Sequence, residues 1–151
     1  MDAVLAVFCA ITGILNRLGT FLPQLGLRLL LAWEFWVSGT AKLHSANWFV
    51  PLQSQFPLPF SLLPANATWF LVTWAELLGA VALLMGFGTR LAALAFMVLD
   101  AVAWHTLYAG NGYNVCDGGY KLALLYLAML LPLLFGGPGT ASVDHWISRR
   151  L

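Results

Sequence analysis

Charge is what this sequence lacks most. Only 9% of its 151 residues are Asp, Glu, Lys or Arg, against 61% that are hydrophobic, and the mean hydropathy is +0.84. A soluble domain carries about 25% charged residues, so this chain could not cover its own surface in water. Lipid is the solvent that suits it. The net charge of +1 gives no field to attract nucleic acid or an acidic substrate. Cysteine is nearly absent too: Cys9 and Cys116 form no CxxC pair, which excludes a dithiol–disulfide motif. Cys9 reads as a small buried hydrophobe. No basic stretch precedes the first apolar run, so a cleaved signal peptide is not expected. Nucleotide, flavin and metal motifs are missing, and neither Glu34 nor Glu76 is followed by the histidine that a carboxylate-bridged di-iron site requires.

What is present is a set of long apolar runs. A spanning helix needs about 20 such residues, because ~30 Å of hydrocarbon divides by 1.5 Å per residue. Four stretches qualify, at residues 24–44, 68–87, 89–109 and 120–135, punctuated by glycines such as Gly86, Gly88, Gly110 and Gly137. The expected fold is all-α: an integral membrane four-helix bundle forming a single transmembrane domain over residues 1–151. The apolar stretch Ala3 to Leu15 is too short to span and is expected to be an interfacial helix.

Basic residues set the orientation. Arg17, Arg28, Arg90, Arg149 and Arg150 fall on one side, which puts both termini in the cytoplasm of a multi-pass protein of the cell inner membrane. Aromatic residues gather on the other side, where rings sit at the headgroup level. The segment Ser45–Ala67 is uncharged and holds Pro51, Pro57, Pro59 and Pro64 among large apolar residues. It reads as a stiff Pro-rich outer loop that caps the bundle or docks a partner. Ser142 and Asp144 are placed to cap a short tail helix through Trp146 and Ile147.

The functional signal is one of depth. Glu34, Glu76 and Asp100 each fall near the centre of a separate span. Each such acid costs about 2.5–3.5 kcal/mol to insert, so the three together cost roughly 8–10 kcal/mol. Acids at this depth face the bundle interior and mark proton paths, ion paths or polar ligand sites. Helical spacing puts Glu34 with Ser38 and Ala41, Glu76 with Thr73, Gly79 and Ala80, and Asp100 with Phe96 and Ala103. The competing reading is structural: Arg28 or Arg90 pairs with an acid, or a neutral carboxyl donates one hydrogen bond across the bundle. At the outer ends, His105, Trp104, Tyr108 and Trp69 are candidates to hold a quinone head group, which needs a flat apolar slot and a hydrogen-bond donor. An ordinary aromatic belt would place the same residues there. Two histidines, His44 and His105, about 6 Å apart in level, are a thin basis for a haem site.

The order of several short motifs resembles the DoxX family of small membrane proteins. Arg28 with its leucine run and Ser38 through Lys42 resemble that family's first helix. Glu76 to Gly79, followed by Gly86, Gly88, Thr89 and Arg90, resemble its second helix and tight inner turn. Asp117 to Tyr120, then Gly137 to Asp144, are similar to its last helix and exit. The resemblance implies four membrane helices and, for some members, a subunit role in quinone-linked or sulfur-related oxidoreductase systems. Lys121, Glu34 and Asp100 depart from the family pattern. The resulting expectation is a membrane subunit of a quinone-linked oxidoreductase system, with Glu34, Glu76 and Asp100 as a catalytic carboxylate cluster for proton handling. A non-catalytic scaffold or assembly factor, and a small proton or cation transporter, are the alternatives. The expected partners are the lipid bilayer, a membrane or outer-face protein and a second copy of the chain. No metal is expected.

Overall fold

The computed structural model of the protein describes residues 2–19 and 21–150, with side chains described from residue 7 onward. Its described residues are helical, without strands. Helix α1 spans Asp2–Gly19, α2 Leu22–Leu43, α3 Ala65–Met85, α4 Thr89–Ala103, α5 Lys121–Gly136 and α6 Val143–Ser148. Helix α4 runs on into a π-helical turn, Trp104–Tyr108.

Helices α2, α3, α4 and α5 close a ring in which each packs on two neighbours. The core lies inside the ring: Leu31 and Phe35 of α2, Leu83 of α3, Phe96 of α4, and Leu130 and Leu133 of α5. Phe35 and Phe96 stack with ring centroids 3.7 Å apart. Gly79 makes room for this pair, because a Cβ there would sit 2.5 Å from the Phe96 ring. The outside of the ring is apolar as well, with Trp33 65%, Leu91 73% and Phe135 75% exposed. An apolar face so extensive matches hydrocarbon rather than water. By length and composition, α3 and the continuous Thr89–Tyr108 helix can cross a membrane, and α5 is a shorter apolar helix.

One end of the ring is locked by Arg28, which is 2% exposed. Its guanidinium donates to the Leu83 and Leu84 carbonyls at 2.8 and 3.0 Å, and to those of Pro138 and Ala141 at 3.1 and 2.7 Å. These carbonyls end α3 and form the exit from α5, so one side chain satisfies orphan helix-end acceptors and ties in the tail. Asp144 completes the lock by accepting from the backbone N–H groups of Gly88 and Thr89, at 2.8 and 3.1 Å. It caps α4 from a distant part of the chain, where a carboxylate also suits the helix dipole. Arg28 therefore does not pair with a mid-helix acid. Its partners are backbone carbonyls, a fork of donors matched to a cluster of acceptors.

At the opposite end, residues 45–64 fold into two short 3₁₀ turns, Val50–Gln55 and Phe60–Leu62. Asn47 donates to Asn66 at 2.8 Å and closes the base of the loop, while Gln53 donates to the carbonyls of Ser61 and Leu63. Phe49 and Phe56 are the loop's buried side chains, and Phe49 meets Trp69 edge-on at 4.9 Å.

Three expectations need correction. The N-terminal helix has 18 residues, not a short stretch. It packs on α2, and Val7, Phe8 and Ile11 are exposed. Cys9 is accordingly exposed rather than buried. Ala41 is exposed too, and Lys42 takes the inward place expected of it.

Candidate functional site

A cavity of about 400 Å³ lies between the Phe35–Phe96 stack and the 45–64 loop. Its walls come from all four ring helices, the π-helical turn and the loop. Glu34, Glu76 and Asp100 all line it, so three acids from three helices share one interior. Each is held differently.

Glu76 pairs with Lys42, whose Nζ donates to both carboxylate oxygens at 2.8 Å. Lys42 also donates to Ser38 Oγ at 2.8 Å. The two side chains are only 12% and 8% exposed. A buried pair of this kind persists only because the geometry is close and further hydrogen bonds satisfy the charges. Glu34 accepts from the Tyr126 hydroxyl at 2.9 Å, joining α2 to α5. Asp100 is 8% exposed, and its Oδ2 has no hydrogen-bond partner among the described residues. Thr106 Oγ1, on the same cavity wall, is likewise without one. A buried polar atom left unsatisfied costs about 1–3 kcal/mol, so two of them in residues that line one cavity call for a reason beyond the packing of the fold.

The remaining lining is aromatic and apolar: Phe35 below, Trp48, Phe49, Phe56 and Phe60 from the loop, and Tyr108 from the π turn. In a π-helix the hydrogen bonds run i→i+5, and such turns frequently occur at functional sites. Here the turn brings Thr106, Leu107 and Tyr108 together onto the cavity wall.

Of the four aromatic and histidine residues expected to hold a ligand, only Tyr108 lines the cavity. His105 is exposed. Trp104 stacks on Tyr120 with centroids 5.1 Å apart, and Trp69 packs against Trp48 and Phe49. They lie outside because the lining face of this helix passes through Asp100, Ala103 and Thr106. Lys42, Tyr126 and Thr106 were missed as site residues. For Lys42 the signal was present, since Glu34, Ser38 and Lys42 repeat every four residues along one helix face. A lone tyrosine amid the apolar residues of α5 was the corresponding sign for Tyr126.

An apolar exterior, helices long enough to cross a bilayer and a polar chamber inside the ring define a helical membrane protein. The DoxX family model matches residues 24–109. The chain belongs to the DoxX family. A protein of Haemophilus influenzae described as uncharacterized is 43% identical over 135 residues, 89% of each chain. A second protein of that organism, described in the same way, is 31% identical over 128 residues, 79% of this chain and 86% of its own length. No solved structure matches.

Proposed function

We propose that the protein is a membrane subunit of a quinone-linked oxidoreductase system, with the cavity between α2, α3, α4 and α5 as a quinone head-group site. All four ring helices cross the inner membrane, both termini are cytoplasmic, and the cavity lies toward the outer face beneath the 45–64 loop. The observation that carries this reading is that Asp100 and Thr106, each with a buried polar atom that has no hydrogen-bond partner among the described residues, both line a chamber walled by aromatic rings.

A quinone ring is flat and apolar on its faces, with a carbonyl acceptor at each end. The aromatic walls suit the faces. The Thr106 and Tyr108 hydroxyls and a protonated Asp100 supply donors to the carbonyls. Reduction of a quinone to quinol takes two electrons and two protons. The electrons come from a dehydrogenase partner carrying its own redox group, because this chain has no motif for one. Asp100 and Glu34 are the proton-handling groups, with Tyr126 fixing Glu34. Glu76 is held by Lys42 and acts mainly to set the charge and shape of the chamber. This assignment replaces His105, Trp104 and Trp69 with Thr106 and Lys42. The loop serves as the lid of the chamber, and its exposed outer residues are where a protein partner docks.

The test is binding of a tail-less benzoquinone to the purified full-length protein in nanodiscs, followed by quenching of tryptophan fluorescence. Saturable quenching is expected, weakened about tenfold in Thr106→Val, the equivalent of one hydrogen bond of about 1.4 kcal/mol. Quenching that rises linearly without saturation, or that ignores both Thr106→Val and Asp100→Leu, removes the reading.

A further inference from the structure

A second cavity of about 420 Å³ runs between α3 and α4 on the outside of the ring. Its walls are almost wholly apolar, from Leu71, Val72 and Ala75 on one side and Leu91, Ala95 and Val98 on the other. Leu71, Leu91 and Val98 are 55%, 73% and 43% exposed, so the groove opens sideways rather than toward either end of the molecule. Along α4 it extends from Leu91 to Leu99, about 12 Å at 1.5 Å per residue.

The groove and the polar chamber share wall residues. Phe60, Thr68, Val72 and Leu99 line both. Only one layer of side chains separates them, at the level where α4 also presents Asp100. Thr68 spends its hydroxyl on the Pro64 carbonyl at 3.3 Å, so this partition offers no polar group of its own. A chamber that holds three carboxyl groups among aromatic walls and an apolar groove meet at an apolar partition, an arrangement that suits the head and tail of one amphiphile.

We propose that the groove holds the apolar tail of the molecule whose head occupies the chamber, so that the substrate class is a tailed quinone entering sideways from the lipid between α3 and α4. The proposal rests on the chamber being a quinone head-group site. Two features favour a chain over a partner helix. Membrane helices associate through small residues that let backbones approach, whereas this groove is rimmed by Leu71, Leu91 and Leu94. Its volume also falls within the 300–1,000 Å³ typical of small-molecule sites. The partition side chains Phe60, Val72 and Leu99 turn aside to admit the junction between head and tail.

The test uses the full-length protein in phospholipid nanodiscs and a benzoquinone whose alkyl tail carries a diazirine. After illumination, mass spectrometry of peptides locates the adducts. They are expected on Leu71 to Ala75 and Leu91 to Val98, and to disappear with an excess of the same quinone lacking the diazirine. Ala95→Phe fills the groove and should abolish these adducts while leaving quenching by the tail-less ring unchanged. Val98→Phe, one turn along, serves the same purpose if Ala95→Phe fails to fold. Adducts spread equally over Trp33 and Phe135, or unaffected by competitor, mean that ordinary lipid fills the groove and overturn the inference alone. Absence of saturable binding by the tail-less ring overturns the chamber reading and this inference with it.

Discussion

At the scale of single residues, the chamber separates groups that hold the fold from groups left open for chemistry. Lys42 and Glu76 belong to the first kind. Removing one partner strands a buried charge, so Lys42→Met should destabilise the protein by about 3–5 kcal/mol. Adding Glu76→Met should restore most of that loss, because an apolar pair of similar volume is often neutral. Thermal unfolding of the single and double variants in one detergent checks this. Two variants whose losses merely add would show that the contact contributes nothing. Asp100 belongs to the second kind, with Oδ2 unpartnered in a buried position. Asp100→Leu should raise stability by about 1–3 kcal/mol while removing quinone binding. If it lowers stability, Asp100 is structural and the proton-handling role fails. The depth of the three acids was legible in the sequence, because an acid amid twenty apolar residues has few other uses. Their division of labour was not. It depends on which helix faces which, and the reach of Lys42 across to α3 is a tertiary fact.

At the scale of elements, four helices fall close to the stretches expected from apolar length, since glycine and proline punctuate them strongly. The second stretch begins three residues earlier than expected, at Ala65 rather than Thr68, directly after Pro64. Proline there is compatible with a helix start because its missing N–H would have had no intrahelical partner. The π turn was not legible, as nothing in Trp104–Tyr108 marks a change of helical period. The motifs that carry the family resemblance largely have a structural explanation. Arg28, Gly86, the Gly88–Thr89 turn, Ser142 and Asp144 meet at one end of the ring. Gly86 has φ +68°, and a Cβ there would lie 2.5 Å from Arg28 Nη2 and 2.6 Å from Ser142 Cβ. The guanidinium is fixed by four carbonyls and cannot retreat. Gly86→Ala should therefore cost about 2–4 kcal/mol, combining backbone strain with overpacking. Asp144→Ala should cost less, about 1–2 kcal/mol, the usual value of a helix cap. Hydrogen exchange should show faster exchange in residues 143–148 and at Thr89, with α2 unaffected. Uniform acceleration across the ring would mean that the lock holds the whole bundle rather than its tail.

At the scale of the whole molecule, what needs testing is the direction in which the ring sits in the bilayer. Arg28, Arg90, Arg149 and Arg150 belong to the end that carries the lock, while the 45–64 loop and the turn containing Cys116 close the other. Basic residues flanking short loops are retained on the cytoplasmic side, so the chamber is expected to open toward the outer face. Cys116 is exposed and gives a natural probe. In a Cys9→Ser background, a membrane-impermeant maleimide added to intact spheroplasts should label Cys116. With Cys116 also replaced by serine, a cysteine introduced by Ser148→Cys should react only after lysis, since Ser148 ends α6 on the locked side. The opposite pattern would place the chamber against the cytoplasm and move the electron-donating partner there too. Labelling of both positions in intact cells would mean that the ring does not separate two compartments, and the four-span arrangement would fall with it.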